Sequence, residues 1–364
     1  LPQLVGEHLR EANGLIRSVL EAAVPEAVVG VTFTREDAPE ASAVLGRDGH
    51  TLVMISRGMI RQLYEVFTAL CNDPACLPFD IRRRLADADR VLYEQRLHLN
   101  PLWSAWNRRR PPLGPRPRDV LAFGLARTLV QFAIDYLCLH ELGHALRGHG
   151  RLLMAPEAAA ALPAGRRPIE PANRLFRHAL ELDADRFARA AIRFAWFDWL
   201  ADGTLPNGMV KPRRLGLPFA DPEELFQGWA YALGALFLAQ AAARSAGAGA
   251  AGTHPSPFHR LDLLVEQTGV VLHGLAGGAR DAIAEADRVM RLFDDLVERT
   301  VRARLPMPVP GLEDVEVPGA ELAELDAWAD EIDARCPDVF ERMWRSLEAR
   351  KARAKGVSDS GGQG

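Results

Sequence analysis

Lysine is almost missing from this chain of 364 residues. Only Lys211, Lys351 and Lys355 are lysine, and the other 41 of the 44 basic residues are arginine. With abundant Ala and Gly, this reads as the coding bias of a GC-rich bacterial genome and says little about mechanism. Cysteine is scarce too. Cys71, Cys76, Cys138 and Cys336 are too few and too irregularly spaced for a disulfide scaffold or a zinc ribbon. The Cys71–Cys76 spacing allows one local disulfide, and reduced thiols are the expectation. Positive charge is in deficit, with a net charge of −4 and a pI near 6.2. That argues against a protein that grips nucleic acid through a net positive field, so no nucleic-acid partner is expected. The first residues, LPQLVGEHLR, lack a basic segment followed by an apolar one, so no signal peptide is expected and the cytoplasm is the default location. An initiator Met is also absent, which points to a processed or trimmed start.

Uncharged runs of membrane-spanning length are scarce as well, although 119–146 reads as one long, mostly apolar helix. Leu225–Ala243 has 19 uncharged residues, the lower limit for a membrane span, but Gln227, Gln240 and many Ala and Gly dilute it. It reads as a buried core helix, with membrane contact as the alternative. The remaining composition, 48% hydrophobic and 25% charged, is that of an ordinary globular protein. The length allows two or three domains or one elaborated domain.

Hydrophobic spacing predicts a helix from Leu4 to Val24, ended by Pro25. Three β-branched runs follow, Val28–Thr34, Ala41–Leu45 and Thr51–Ser56, the last two joined through Gly46-Arg47-Asp48-Gly49 as a hairpin. Helices are then predicted over Arg57–Leu70, Asp119–Leu146, Asn173–Leu200, Pro222–Arg244, Pro257–Thr268, Ala279–Arg304 and Ala320–Lys351. Asn72–Asp119 holds a charged helix near Asp80–Leu99 and the Pro/Arg segment NRRRPPLGPRPRD, a solvated connector or a basic arm. The fold class is α+β and predominantly helical, with a small N-terminal sheet.

The chemistry concentrates in His140-Glu141-Leu142-Gly143-His144. Four residues make close to one helical turn, so both imidazoles leave the same face and can converge on one tetrahedral ion. Glu141, about 100° around the helix, falls beside an open coordination position. This pattern suits Zn²⁺ carrying a water. A third ligand should come from another element. Glu181 and Asp185, on the next long helix and 37 or more positions after His144, share a face one turn apart. Two acids in register on an apolar helix are costly to bury unless something positive faces them. The assignment is Glu181 on the metal and Asp185 accepting the N–H of a ligand imidazole. His178 is the competing ligand, with a local structural role preferred. His149 falls at the helix C-terminus, where an imidazolium would interact well with the dipole.

The HELGH and ELDADRFA segments, taken in order, resemble the gluzincin metallopeptidases of the HtpX and CAAX-prenyl-protease type. The stretch from Pro39-Glu40 through Ser42-Ala43-Val44 to Ile55-Ser56-Arg57-Gly58-Met59-Ile60 is similar to the strand pair and turn before the catalytic helix there. Thr253-His254-Pro255-Ser256, with Arg260 six residues after His254, resembles the family's late His-Pro…Arg motif. The resemblance covers roughly 28–56 and 121–268. It implies a zincin-like core and a zinc endopeptidase with Glu141 as general base, and His254 and Arg260 sharing the oxyanion charge. It also implies a protein or peptide substrate held in extended form along Ser42, Ala43 and Val44 or along Thr51–Ser56. Ser42 stands where relatives often carry Asn.

The implied organisation is an N-terminal helix and sheet (1–70), an insertion (71–118), a zinc-binding helical region (119–270), a helical extension (271–352) and a tail (353–364). Three other readings share these motifs. One is a sensor or regulatory module on the same fold, as in ImmA/IrrE-like proteins. Another is a membrane-associated quality-control protease. The third is a defence protease with one cellular target.

Overall fold

The computed structural model describes residues 2–45, 50–73, 117–118, 120–154, 174–202, 222–245, 260, 319–336, 338–346 and 348–349. In chain order these form α1 (Pro2–Ala23), β1 (Val29–Thr34), β2 (Ala41–Leu45), β3 (Thr51–Ser56), α2 (Arg57–Asn72) and α3 (Val120–Leu146). There follow α4 (His149–Met154), α5 (Arg174–Asp202), α6 (Pro222–Ser245) and α7 (Gly319–Arg335). The protein is mostly helical with one small three-stranded sheet.

The organising element is α3. Its residues are apolar almost all round, which suits a helix enclosed on every side. It packs against α1, α2, α5, α6 and the β2 and β3 strands. Leu125, Leu129, Val130, Ile134, Leu139 and Leu142 are fully or almost fully buried along it. Each such side chain contributes roughly 1.5–3 kcal/mol by leaving water. This helix is long and apolar enough to cross a membrane by length and composition, and 89% of its apolar window is buried inside the protein. The segment singled out from sequence, Leu225–Ala243, lies in α6, where residues 228–237 are buried against the same core.

Several polar residues of α3 outside the motif are engaged with neighbouring helices. Arg127 reaches Glu7 at 3.1 Å and Glu11 at 2.9 Å on α1. Gln131 bonds His8 at 2.5 Å and Asp135 at 2.7 Å, and His8 bonds the Tyr64 hydroxyl of α2 at 2.7 Å. A buried polar group without a partner is expensive, so this network specifies how α1 and α2 seat on α3.

In the sheet, the order is β1-β3-β2, with β3 parallel to β1 and antiparallel to β2. The hairpin pairs Ala41 with Ile55 and Leu45 with Thr51. Thr51–Ser56 is therefore the central strand and offers no open edge, a correction to one of the two expected substrate edges. Among the described strands, β2 keeps a free edge on the side of the sheet that packs on α3. Ser56 caps α2 by accepting from Met59 N at 3.0 Å, and its hydroxyl ties the preceding loop by donating to Ala38 O at 2.6 Å.

Near the C-terminus, the single helix predicted over Ala320–Lys351 is two pieces. α7 stops at Arg335, ahead of Pro337, and residues 339–346 form a separate helical stretch. Proline disfavours helical backbone in the residue before it and cannot donate its own backbone bond. Asp338 then caps the second stretch through Glu341 N at 2.9 Å. α7 docks on the first half of α5 through its own apolar cluster, with Leu325, Trp328 and Ile332 against Phe176, Ala179 and Leu180. Cys71, Cys138 and Cys336 are buried. The expected charged helix at 80–99, the helix at 279–304, the Pro/Arg segment's first ten residues, Cys76 and the tail lie outside the described residues.

Candidate metal centre

The site forms where α3 and α5 touch. Their approach is close because Gly143 faces Ala184 and Phe187. A Cβ at Gly143 would lie 3.0 Å from Phe187 Cβ and 3.2 Å from the Ala184 backbone. Small residues on both helices bring Glu181 within reach of the two histidines. Nε2 of His140 and Nε2 of His144 stand 3.1 Å apart. Glu181 lies 3.3 Å from the first through Oε2 and 3.5 Å from the second through Oε1. Among the described residues, His140, His144 and Glu181 form the group able to share one ion, and His178 is not part of it.

Each histidine is held from behind. His140 Nδ1 lies 2.7 Å from Asp185 Oδ1, as the helical spacing predicts. Asp185 is itself gripped by Arg260, whose Nε and Nη2 donate to its two oxygens at 2.7 Å each. The Tyr136 hydroxyl, one turn before His140, donates to the same carboxylate and accepts from Arg260 Nη2 at 3.1 Å. Burial alone would raise the pKa of Asp185, but Arg260 and His140 hold it well below the usual carboxylate range. Burial likewise would lower His140, yet the Asp185 charge and hydrogen bond lift it to about 9. The same surroundings keep Tyr136 protonated, first through burial.

His144 has a different support. Its Nδ1 lies 2.8 Å from Nδ1 of His149, whose Nε2 lies 2.8 Å from Asp183 Oδ2. Arg147 donates to both oxygens of Asp183, at 2.8 Å and 3.0 Å, and to Asp333 of α7 at 2.5 Å. His149 can turn back because Gly148, two residues past the end of α3, takes a left-handed φ of 71° that glycine adopts without strain. Burial lowers the pKa of His149, opposite to the direction in which a helix C-terminus would move it.

Arg260 is described as a single helical residue, buried to 4% exposure. Its Nε and Nη2 are spent on Asp185, and Nη1 lies 3.7 Å from Glu181 Oε2. The geometry places it behind the ligand set, as a support for Asp185. Glu141 is half-buried on α3. His254 lies outside the described residues. Ser42 and Val44 are exposed on β2 and Ala43 is half-buried against the core.

Sequence reasoning missed Tyr136, Arg147, Asp183, Asp333 and the contact made by His149. For Tyr136 a signal existed, since it sits one turn before His140 on the ligand face. Asp183 had a weaker one, a third acid inside the same short segment. Nothing in the order of residues links Asp333 to Arg147, 186 positions away. Comparison with protein-family models, curated proteins and solved structures finds no match to this chain.

Proposed function

We propose that this chain is a zinc-dependent endopeptidase with a zincin-like core of the gluzincin type. The observation that carries the reading is the spacing of the three donor groups. Two ligands about 2.0–2.1 Å from an ion at the tetrahedral angle lie roughly 3.3–3.4 Å apart. The two Nε2 atoms at 3.1 Å, and the Glu181 oxygen facing each of them, Oε2 at 3.3 Å from His140 and Oε1 at 3.5 Å from His144, lie close to that value. Two imidazoles and one carboxylate are also a recurrent donor set for catalytic zinc. Bidentate support of Asp185 behind His140 favours a ligand fixed in direction over a loose surface histidine.

Zinc held by His140, His144 and Glu181 would supply Lewis acidity and a water acidified towards a pKa of about 7. Glu141 accepts the proton of the attacking water and delivers it to the departing amine nitrogen. The free edge of β2 pairs with an extended peptide through Ser42, Ala43 and Val44, holding the scissile bond straight beside α3. Arg260, held by Asp185, acts in this scheme as a positioning residue, and His254 keeps the oxyanion role that the resemblance implies. The burial of α3 and α6 inside the core supports a protein that works away from the bilayer.

Purified protein should carry about one zinc per chain, and His140→Ala or Glu181→Ala should lose it. Glu141→Gln should keep the metal and lose cleavage. Comparing new N-termini in a whole proteome treated with wild type or Glu141→Gln names the substrate. A folded wild type without metal would defeat the metal reading, and a fully active Glu141→Gln would defeat the general-base role.

A further inference from the structure

We propose that His149 is a positioning residue that sets which nitrogen of His144 is bare, so that His144 faces the metal as a ligand. The inference rests on the metal reading above and extends it to residues outside the donor set.

Two Nδ1 atoms 2.8 Å apart must share one proton, with one ring donating and the other accepting. With His144 neutral, as a metal ligand is, two arrangements satisfy this. In the first, His144 donates from Nδ1, His149 accepts on Nδ1, and His149 donates from Nε2 to Asp183. His144 Nε2 then carries a lone pair directed at His140 and Glu181. In the second, His149 is doubly protonated and donates both ways. His144 Nε2 would then carry a hydrogen, which would occupy the space between the donors and block an ion.

The surroundings of Asp183 select the first arrangement. Asp183 can only accept, from Arg147 through both oxygens and from His149 Nε2 through Oδ2. It takes the Nε2 hydrogen of His149, and a ring carrying that one hydrogen turns a bare Nδ1 to His144. His149 serves as a relay that takes orientation from Asp183 and passes it to His144. The outer end of this relay is Asp333, so α7 reaches the metal centre from the helical extension.

The test measures zinc affinity by chelator competition for the full chain, alongside thermal unfolding of the metal-free protein. His149→Leu removes the acceptor and should weaken zinc binding about 10- to 100-fold. His149→Gln keeps an acceptor and a donor and should recover most of that loss. Should His149→Leu not fold, nitrogen-15 spectra of zinc-loaded, histidine-labelled wild type read the same point directly. They should show a coupling across an N–H···N bond, with Nδ1 of His144 protonated and Nδ1 of His149 bare. A wild type that binds zinc while His149→Leu binds it equally well overturns the relay alone. A protonated Nδ1 on His149 in the loaded protein does the same. A wild type that binds no zinc overturns the relay together with the metal reading.

Discussion

His140 and His144 leave one face of one helix, four residues apart, yet different chemistry holds each of them. Behind His140 stands a carboxylate at 2.7 Å, locked by a bidentate arginine and a tyrosine, with every member buried. Behind His144 stands a second imidazole, then a carboxylate, then an arginine, then an acid on a distant helix. The side chain of His140 is 6% exposed and that of His144 is 22% exposed. Either partner orients the imidazole and strengthens it as a donor, and the carboxylate strengthens it more than a second imidazole does. The His140 side is thus the anchor of the centre. The His144 side is the more exposed of the two, and its support runs outward to Asp333, which is 41% exposed.

The largest effect should come from Asp185→Ala. It strands the buried Arg260 charge and frees His140, for a loss of about 3–5 kcal/mol in unfolding experiments. Asp183→Ala strands Arg147 less completely, because Asp333 stays 2.5 Å from it, and about 1–3 kcal/mol is expected. Equal losses would mean that the two supports do the same job.

Next comes pH, read on the metal-free protein. His140 is raised to about 9, so its contribution is fully present below the unfolded value of about 6.5 and is lost as pH rises through 9. His8, on the buried face of α1, is lowered by burial to about 3. Its contribution is present above about 6.5 and fades as pH falls from there towards 3. Melting temperature against pH should therefore fall off on both sides of about pH 6.5. Zinc should remove the alkaline limb and leave the acid one. An alkaline limb that survives loading would separate His140 from the metal.

Gly143→Ala should act on both supports at once. The new methyl meets backbone at 3.2 Å, so α5 must shift by a few tenths of an ångström, at a cost of roughly 1–3 kcal/mol. Because Glu181 rides on α5, zinc affinity should fall with stability. Asp333→Ala should be the mildest, about 1 kcal/mol or less, since this acid is half in solvent. A loss as large as that of Asp183→Ala would make α7, rather than α5, the holder of the His144 side.

Much of the fold was legible because its elements are strongly periodic. The starts and ends of α1, β2, β3, α3, α5 and α6 fall within two residues of where apolar spacing and Pro or Ser signals put them. The helix read across Pro337 was the exception, where acidic and apolar periodicity outweighed a proline that should have ended it. At the site, the i, i+4 pairs were readable and the contacts between helices were not. His149 looked like a terminal charge, because a residue five positions on gives no hint that Gly148 folds it back onto His144.

The sequence by itself determined which side chains share a face. Helical spacing alone puts His140 with His144 and Glu181 with Asp185, since 3.6 residues per turn leaves no other choice. It also determined that α3 must be enclosed, because no face of it is polar enough for water. Tertiary structure decided the rest. It made β3 central and left β2 as the edge, and it committed Arg260 to Asp185 and Arg147 to both Asp183 and Asp333. These are pairings between segments far apart in the chain, selected by the demand that each buried charge meet an opposite one once the helices close together. That demand is met only in the packed protein, which is why residue order could propose the ligands and could not propose what holds them.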